Sequence, residues 1–429
     1  MRRVTRTLGI AALAAAAATV AQAQVSLPGA PLPQTPLPQL PGVTDPVAGT
    51  LRTASTAFTE TRKLRVRELL RTERATVETD PQGQPILRRQ VGALSPTPEA
   101  LDRARAAGFT VLSAQALEAL GLEMVVLEAP EGLSTRRALA KLRELDPQGQ
   151  YDFNHLYVGS GAAEAPASKA AAVAPLPPVP EGTRIGLIDS GIDVAHGIFA
   201  GAGIVRHGCG GASHPAPHGT AVASLLVGEG ADFSSLLPGA TLYASDIFCE
   251  HAAGSLSLLA LELDWMAREQ VAVVNISLVG AKSVLLTGLV RAMTVRGFLL
   301  VAAVGNDGPT APPLFPAAYP DVVGVTGVDA KRRVLPEALR GEQVDFAAQG
   351  SGLSAAAVGG GFDEVRGTSF ATPIVAGLLA RSLQAPDPSQ AQAALEALAA
   401  TAVDIGHNGV DPSYGKGLVG AELHPGRRE

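Results

Sequence analysis

The stretch RGTSFATPIVAG, residues 366–377, carries a serine ahead of an apolar run, Ile374 to Ala380, that reads as a buried helix. Pro373 is expected in the first turn of that helix, where a missing N–H costs nothing. Ser369 then stands at a helix start. A serine there is a favoured N-cap. It is a nucleophile only if a base removes its proton and a third group orients the base. His218 opens HGTAVASLLVG, at the start of another apolar helix, and could be that base. Asp189 ends the apolar run RIGLID, before a Ser190-Gly191 turn, and could orient an imidazole. Asn306 follows the apolar strand FLLVAAVG and could supply an amide donor. Each has a plainer explanation when taken alone: a turn-initiating Asp, a half-buried histidine, a turn Asn before Asp307-Gly308.

Elements that place all four together are legible from Thr183 onward. Short Val/Ile/Leu runs alternate with helix-length segments: RIGLID, GTAVASLLV, TLYASDIF, LLALELDWMARE, AVVNISL, VLLTGLVRAM and FLLVAAVG. That alternation predicts a parallel sheet with helices on both faces. In such sheets functional groups gather beyond the carboxyl ends of the strands. The four residues lie at element edges on that side, in the order Asp, His, Asn, Ser.

With these residues in that order, the chain resembles the subtilisin-like serine proteases over about residues 183 to 420. IGLIDSGID is similar to the family's Asp motif, HGTAVASLL to its His motif and RGTSFATPIVAG to its Ser motif. AVGNDG matches the segment with its oxyanion Asn, VVNISLVG a substrate-cleft strand and DPSYGKGLV the family's ending. The resemblance implies an α/β subtilisin-like fold and endopeptidase action on polypeptides. It implies a triad of Asp189, His218 and Ser369, an oxyanion hole with Asn306, and a substrate-pairing edge at Ser277, Leu278, Val279 and Gly280. Such an edge pairs with peptide backbone, and a small Gly-lined wall tolerates a large apolar residue before the cut. Ala221 and Ser224 stand where the family often has His and Gly, and altered packing alone is expected there. Asp193 and His196 follow the Asp motif as in the family and are given no catalytic role. His155, His207, His214, His251, His407 and His424 have no motif and are expected at the surface.

Ahead of this region, Arg2, Arg3 and Arg6 precede an apolar stretch and an Ala21-Gln22-Ala23 cleavage pattern. Residues 1–23 are therefore expected to be a signal peptide, giving a secreted or periplasmic protein without stable membrane insertion. Residues 24–50 are a Pro-rich spacer. Residues 51–160 are expected to form a helix followed by a β-α-β-β-α-β domain, with Ser134 capping its second helix. Residues 161–182 read as an Ala/Pro-rich linker, and 183–429 as the peptidase region. A β-α-β-β-α-β domain in that position resembles the family's inhibitory prosegments. This implies that the chain's own prosegment acts as an intramolecular inhibitor, removed by a cut between about Tyr157 and Thr183.

Composition narrows the partners. The net charge of −6 argues against nucleic acid. In an oxidising compartment the two cysteines, Cys209 and Cys249, are expected to pair. No Cys/His spacing fits zinc. The chemistry needs no cofactor; a structural calcium is compatible with the resemblance, but no acidic cluster marks a site. A monomer is expected. The alternative is a catalytically silent exported binding protein on the same fold. An esterase is a further rival, but the G-x-S-x-G elbow is absent.

Overall fold

The computed structural model describes residues 64–159, 162–164, 178–212, 214–249, 251 and 253–427. The expected signal peptide, the Pro-rich spacer and most of the expected linker lie outside these residues.

The N-terminal part begins with a helix, α1, over 64–72. It continues β1 (Val77–Thr79), β2 (Pro85–Leu94), α2 (Pro98–Ala106), β3 (Thr110–Leu117), β4 (Leu122–Glu128), α3 (Thr135–Leu145) and β5 (Gln150–Gly159). From β2 to β5 this is the expected β-α-β-β-α-β order, folded as an antiparallel sheet ordered β5-β2-β4-β3. Thr97 caps α2 by accepting from Ala100 N at 3.2 Å. Ser134 occupies the cap position of α3 but makes no side-chain cap bond. The adjacent Thr135 hydroxyl instead accepts from Arg89 N at 2.7 Å, tying α3 to β2.

One face of this sheet packs on α2 and α3 through Val91, Val125, Leu127, Leu139 and Phe153. The other lies on two helices of the C-terminal part, α5 (Leu256–Arg268) and α6 (Val284–Thr294). Carboxylates cap across that seam in both directions. Asp152 of β5 accepts from Val284 N at 2.9 Å, at the start of α6, where the helix dipole favours an anion. Asp264 of α5 accepts from Leu120 N at 3.1 Å in the β3–β4 turn.

His155 on β5 departs from the expected surface position. It is 2% exposed, because the strand turns it inward onto Asp80, with Nε2 3.2 Å from Asp80 Oδ2. Burial pushes the Asp80 carboxyl up, but the His155 contact and the N–H groups of Gln84 and Gln82 outweigh this and hold it below its usual range.

The C-terminal part contains the predicted parallel sheet. Its first strand is β7 (Arg184–Asp189), interior to the sheet and preceded in the chain by the short β6 (Ala162–Glu164). β8 (Gly203–Gly208), α4 (Pro217–Val227), β9 (Glu229–Gly230), β10 (Phe233–Ser234), β11 (Thr241–Asp246) and β12 (Gly254–Ser255) follow. After α5 come β13 (Val273–Ile276) and β14 (Leu278–Val279); after α6 come β15 (Leu299–Ala303), β16 (Val323–Val328), β17 (Phe346–Gln349), β18 (Ser351–Ala356) and β19 (Phe362–Arg366). α7 (Thr368–Ser382), α8 (Pro388–Thr401) and β20 (Gly426–Arg427) end the chain.

Seven strands form the parallel sheet in the order β17-β16-β15-β13-β7-β11-β8. Both faces are apolar, as the uninterrupted Val/Ile/Leu runs require. Ile185 and Leu187 of β7 join the core under α4 and α7. Ile188, pointing the other way, joins the core under α5 and α6.

Cys209 and Cys249 are joined by a disulfide with Cα atoms 5.4 Å apart. The bridge ties the end of β8 to the turn after β11 and encloses α4. In the chain-entropy account, closing such a loop stabilises by about 3–4 kcal/mol. Replacing both cysteines by serine should therefore lower Tm in a thermal melt. An unchanged melting curve would remove the bridge from the stabilising interactions.

Candidate active site

Asp189 lies at the carboxyl end of β7, an interior strand of the parallel sheet, and is 1% exposed. Its Oδ1 and Oδ2 stand 2.8 and 3.0 Å from His218 Nδ1. Oδ1 also accepts from Ser190 N at 2.7 Å, which fixes the carboxylate. His218 is the second residue of α4, after Pro217. Gly219 allows α4 to approach this closely: a Cβ there would stand 2.1 Å from Ser190 O. With Nδ1–H donating to Asp189, Nε2 carries the lone pair. That Nε2 is buried and has no hydrogen-bond partner among the described residues. Asp246 of β11 stands in parallel register with Asp189. Burial pushes its carboxyl up, and the nearby Asp189 charge adds to the effect.

Ser369 is fully buried in the first turn of α7, two residues after Gly367, which holds the cap position at φ 138°. The serine is therefore not the N-cap. The Phe370 ring after it lies 5.3 Å from the His218 ring. Asn306 follows β15 past Gly305, and its Oδ1 accepts from Thr368 N at 3.1 Å. Gly305 N in turn donates to Thr368 Oγ1 at 3.2 Å. With its oxygen engaged, the Asn306 amide offers Nδ2, which is buried without a partner among the described residues. An imidazole nitrogen and an amide donor around the start of α7 thus lack partners among the described residues. The sequence profile of the Subtilase family matches residues 181–417, the segment that holds all of these residues.

The chain belongs to the subtilase family.

Among relatives, it is 30% identical to subtilisin E of Bacillus subtilis (strain 168) over 249 residues, covering 56% of this chain and 64% of that protein. It is 32% identical to the minor extracellular protease Epr of the same organism over 206 residues, 47% of this chain and 32% of Epr. The matches thus span a third to just under two thirds of those relatives' lengths. Fervidolysin from Fervidobacterium pennivorans has the same fold at a TM-score of 0.67 and 18% identity, over 81% of this chain and 62% of its own. The protease domain of PatA aligns at a TM-score of 0.50 and 25% identity, over 57% of this chain and 94% of that domain.

The proposed cleft edge of this subtilase holds its own chain. Leu278 and Val279 of β14 pair antiparallel with Gly159 and Val158 of β5. On the other side of β5, Gly254 and Ser255 of β12 pair with Tyr157 and Leu156. Gly280 leaves room for the Tyr157 ring: a Cβ there would stand 2.3 Å from it. Tyr157 is wholly buried, its hydroxyl donating to Ala281 O at 3.2 Å. Ser277 plays a different part from its neighbours. Its side chain is buried, and its hydroxyl donates to the Ser369 carbonyl at 3.2 Å.

Pro373 explains why that carbonyl is open. The proline lies inside α7 and not in its first turn, as the sequence suggested. Its missing N–H is the one that would have bonded to Ser369 O four residues back. Ser277 takes up the freed acceptor, so a side chain from the end of β13 anchors the backbone of Ser369.

The segment read as a linker also enters the site. β6 pairs antiparallel with β19, with Ala162 opposite Arg366, Ala163 opposite Val365 and Glu164 opposite Glu364. β19 leads through Gly367 and Thr368 to Ser369. The sequence hid β6 because Ala/Pro-rich composition gives no alternating pattern, while pairing at a strand edge needs only backbone.

Proposed function

We propose that this subtilase is an exported serine endopeptidase made as a self-processed precursor. The observation that carries the reading is a pair of buried atoms beside Ser369 that lack partners among the described residues: His218 Nε2 and Asn306 Nδ2. Buried polar atoms without partners are costly. An acyl-transfer site needs one such acceptor for the serine proton and one such donor for the developing oxyanion. A silent binding protein has no use for either.

The chemistry follows by residue. His218 takes the Ser369 proton as Oγ attacks the scissile carbonyl, and Asp189 stabilises the resulting imidazolium. Negative charge on the carbonyl oxygen meets Asn306 Nδ2, the Ser369 N–H and the positive end of α7. His218 then gives its proton to the leaving amine. Water, deprotonated by His218, attacks the ester and releases the acid.

Strand pairing supports self-processing. The chain pairs with β14 up to Gly159 and with β19 from Ala162 onward, so a cut between Gly159 and Ala162 is the one this pairing favours. Until it is cut, the prosegment fills the cleft and inhibits. Export rests on the N-terminal targeting pattern; among the described residues no helix is long and apolar enough to cross a membrane.

One experiment tests the reading. Wild-type protein from an exporting host, examined by mass spectrometry, should begin between Ser160 and Ala162 and should bind a fluorophosphonate at Ser369. The Ser369→Ala protein should keep its prosegment and stay unlabelled. A full-length wild-type chain that resists the probe would leave the silent binding protein as the answer.

A further inference from the structure

We infer that Asp193, His196 and Ser224 are positioning residues for the leaving-group side of the substrate. They latch the β18–β19 hairpin, whose second strand receives the chain beyond the cut. The inference rests on the endopeptidase reading and assigns work to residues for which the triad has no use.

The two sides of the cleft are built differently. The edge that pairs before the cut, β14, is sunk in the core, with Leu278 and Val279 buried. The edge that pairs after it, β19, belongs to a hairpin with a glycine tip. Gly359, Gly360 and Gly361 have φ of 82°, 113° and 78°, and a Cβ on any of them would meet nothing within 4 Å. Such a tip is easily formed but has little stiffness of its own.

Stiffness comes from side chains that reach the hairpin from the segment after Asp189 and from the helix that carries His218. Asp193, four residues past Asp189, accepts from Gly359 N at 2.7 Å through Oδ2. Its own N–H donates to Thr220 Oγ1 at 2.9 Å, in the His218 helix. His196 is 8% exposed. Its Nδ1 accepts from Ile198 N at 3.3 Å, so Nε2 carries the hydrogen and donates to Gly361 O at 2.9 Å. Its ring packs edge-on against Phe199 and against Phe362, the first residue of β19. Ser224, on α4 below His218, accepts from Ala356 N at 3.0 Å, where β18 ends. Ser224 stands at the position where the resemblance leads one to expect Gly, so the departure supplies a bond to the hairpin beyond altered packing.

The contacts fall at the root, the tip and the return of the loop. They fix the hairpin to the same elements that carry Asp189 and His218. At its far end β19 is held by the Arg366–Glu337 ion pair and runs into the nucleophile. Loosening the tip should therefore disturb the pairing surface used by residues after the cut more than Ser369 itself.

The test compares two substrates on the mature enzyme, with concentrations set by fluorophosphonate titration so that only competent sites count. A peptidyl p-nitroanilide has no residue beyond the cut. An internally quenched peptide extends three residues past it. Asp193→Ala and His196→Phe (which keeps a ring but deletes the donor) should lower kcat/KM on the quenched peptide about three- to tenfold, mostly through KM. That is the size expected for one lost hydrogen bond. The p-nitroanilide should lose much less, and Asp193→Asn, which keeps an acceptor oxygen, should restore the quenched-peptide rate. Equal losses on both substrates, or no loss on the peptide, would overturn the inference. If His196→Phe fails to fold, the Asp193 pair decides. If wild type cuts neither substrate, the endopeptidase reading falls first, and the two failures stay distinct.

Discussion

Ser369→Ala, His218→Ala and Asp189→Asn should each lower peptide hydrolysis by about 10⁴-fold or more, and combining them should cost little beyond the worst single change. The aspartate variant is the most informative. Asp189 grips His218 Nδ1 with both oxygens, at 2.8 and 3.0 Å, which leaves the Nε2 lone pair free to take a proton. An asparagine amide can donate to Nδ1 and so stabilise the other tautomer, with no lone pair where it is needed. The fold should survive, because Asp189 Oδ1 has a near-equivalent in the Asn oxygen for Ser190 N. Steady-state rates on a quenched peptide check this, with circular dichroism as the control. Turnover near wild type for Ser369→Ala would end the assignment.

Asn306→Ala should lower kcat by about 10²–10³ with little change in KM, because an oxyanion donor acts only once charge has developed. The amide oxygen holds Thr368 N at 3.1 Å, which orients Nδ2 before substrate arrives. Orientation in advance is what makes the donor effective, since nothing need reorganise during the reaction. The kcat/KM split is the readout. A loss confined to KM would mean that Asn306 binds the ground state and is no oxyanion donor.

The residues of the candidate site were more legible in the sequence than the contacts that support them. Asp189, His218, Asn306 and Ser369 stand out because each interrupts an apolar run at an element edge, and runs are what sequence patterns show best. Pro373 misled because the rule that keeps proline to the first turn describes cost in an isolated helix. Here Ser277 offsets that cost from another strand, which no local pattern can show. The burial of His155 and of His196 was hidden for a related reason: a buried imidazole is tolerated when partners meet it, and those partners, Asp80 and Gly361 O, come from distant parts of the chain. β6 was invisible because it is recognised by backbone alone. Asp193 was noticed, but its partner is a glycine N–H in a loop 166 residues away.

The threading of β5 on β14 and of β6 on β19 has a kinetic consequence. Under the self-processing reading, a bond between two strands that its own molecule holds would be broken in a first-order process. The half-time of maturation should not change on dilution, and adding Ser369→Ala chains should not slow it by competition. Well-oriented intramolecular reactions reach effective molarities of about 10⁵–10⁸ M, far above any concentration of substrate in solution. Release should then be sequential. After a cut the new N-terminus would be held to β19 by three residue pairs, while residues 64–159 would keep β12, β14 and the α5–α6 face. The short strand should leave first and the N-terminal domain last, which would make scission and the onset of activity separate events in time.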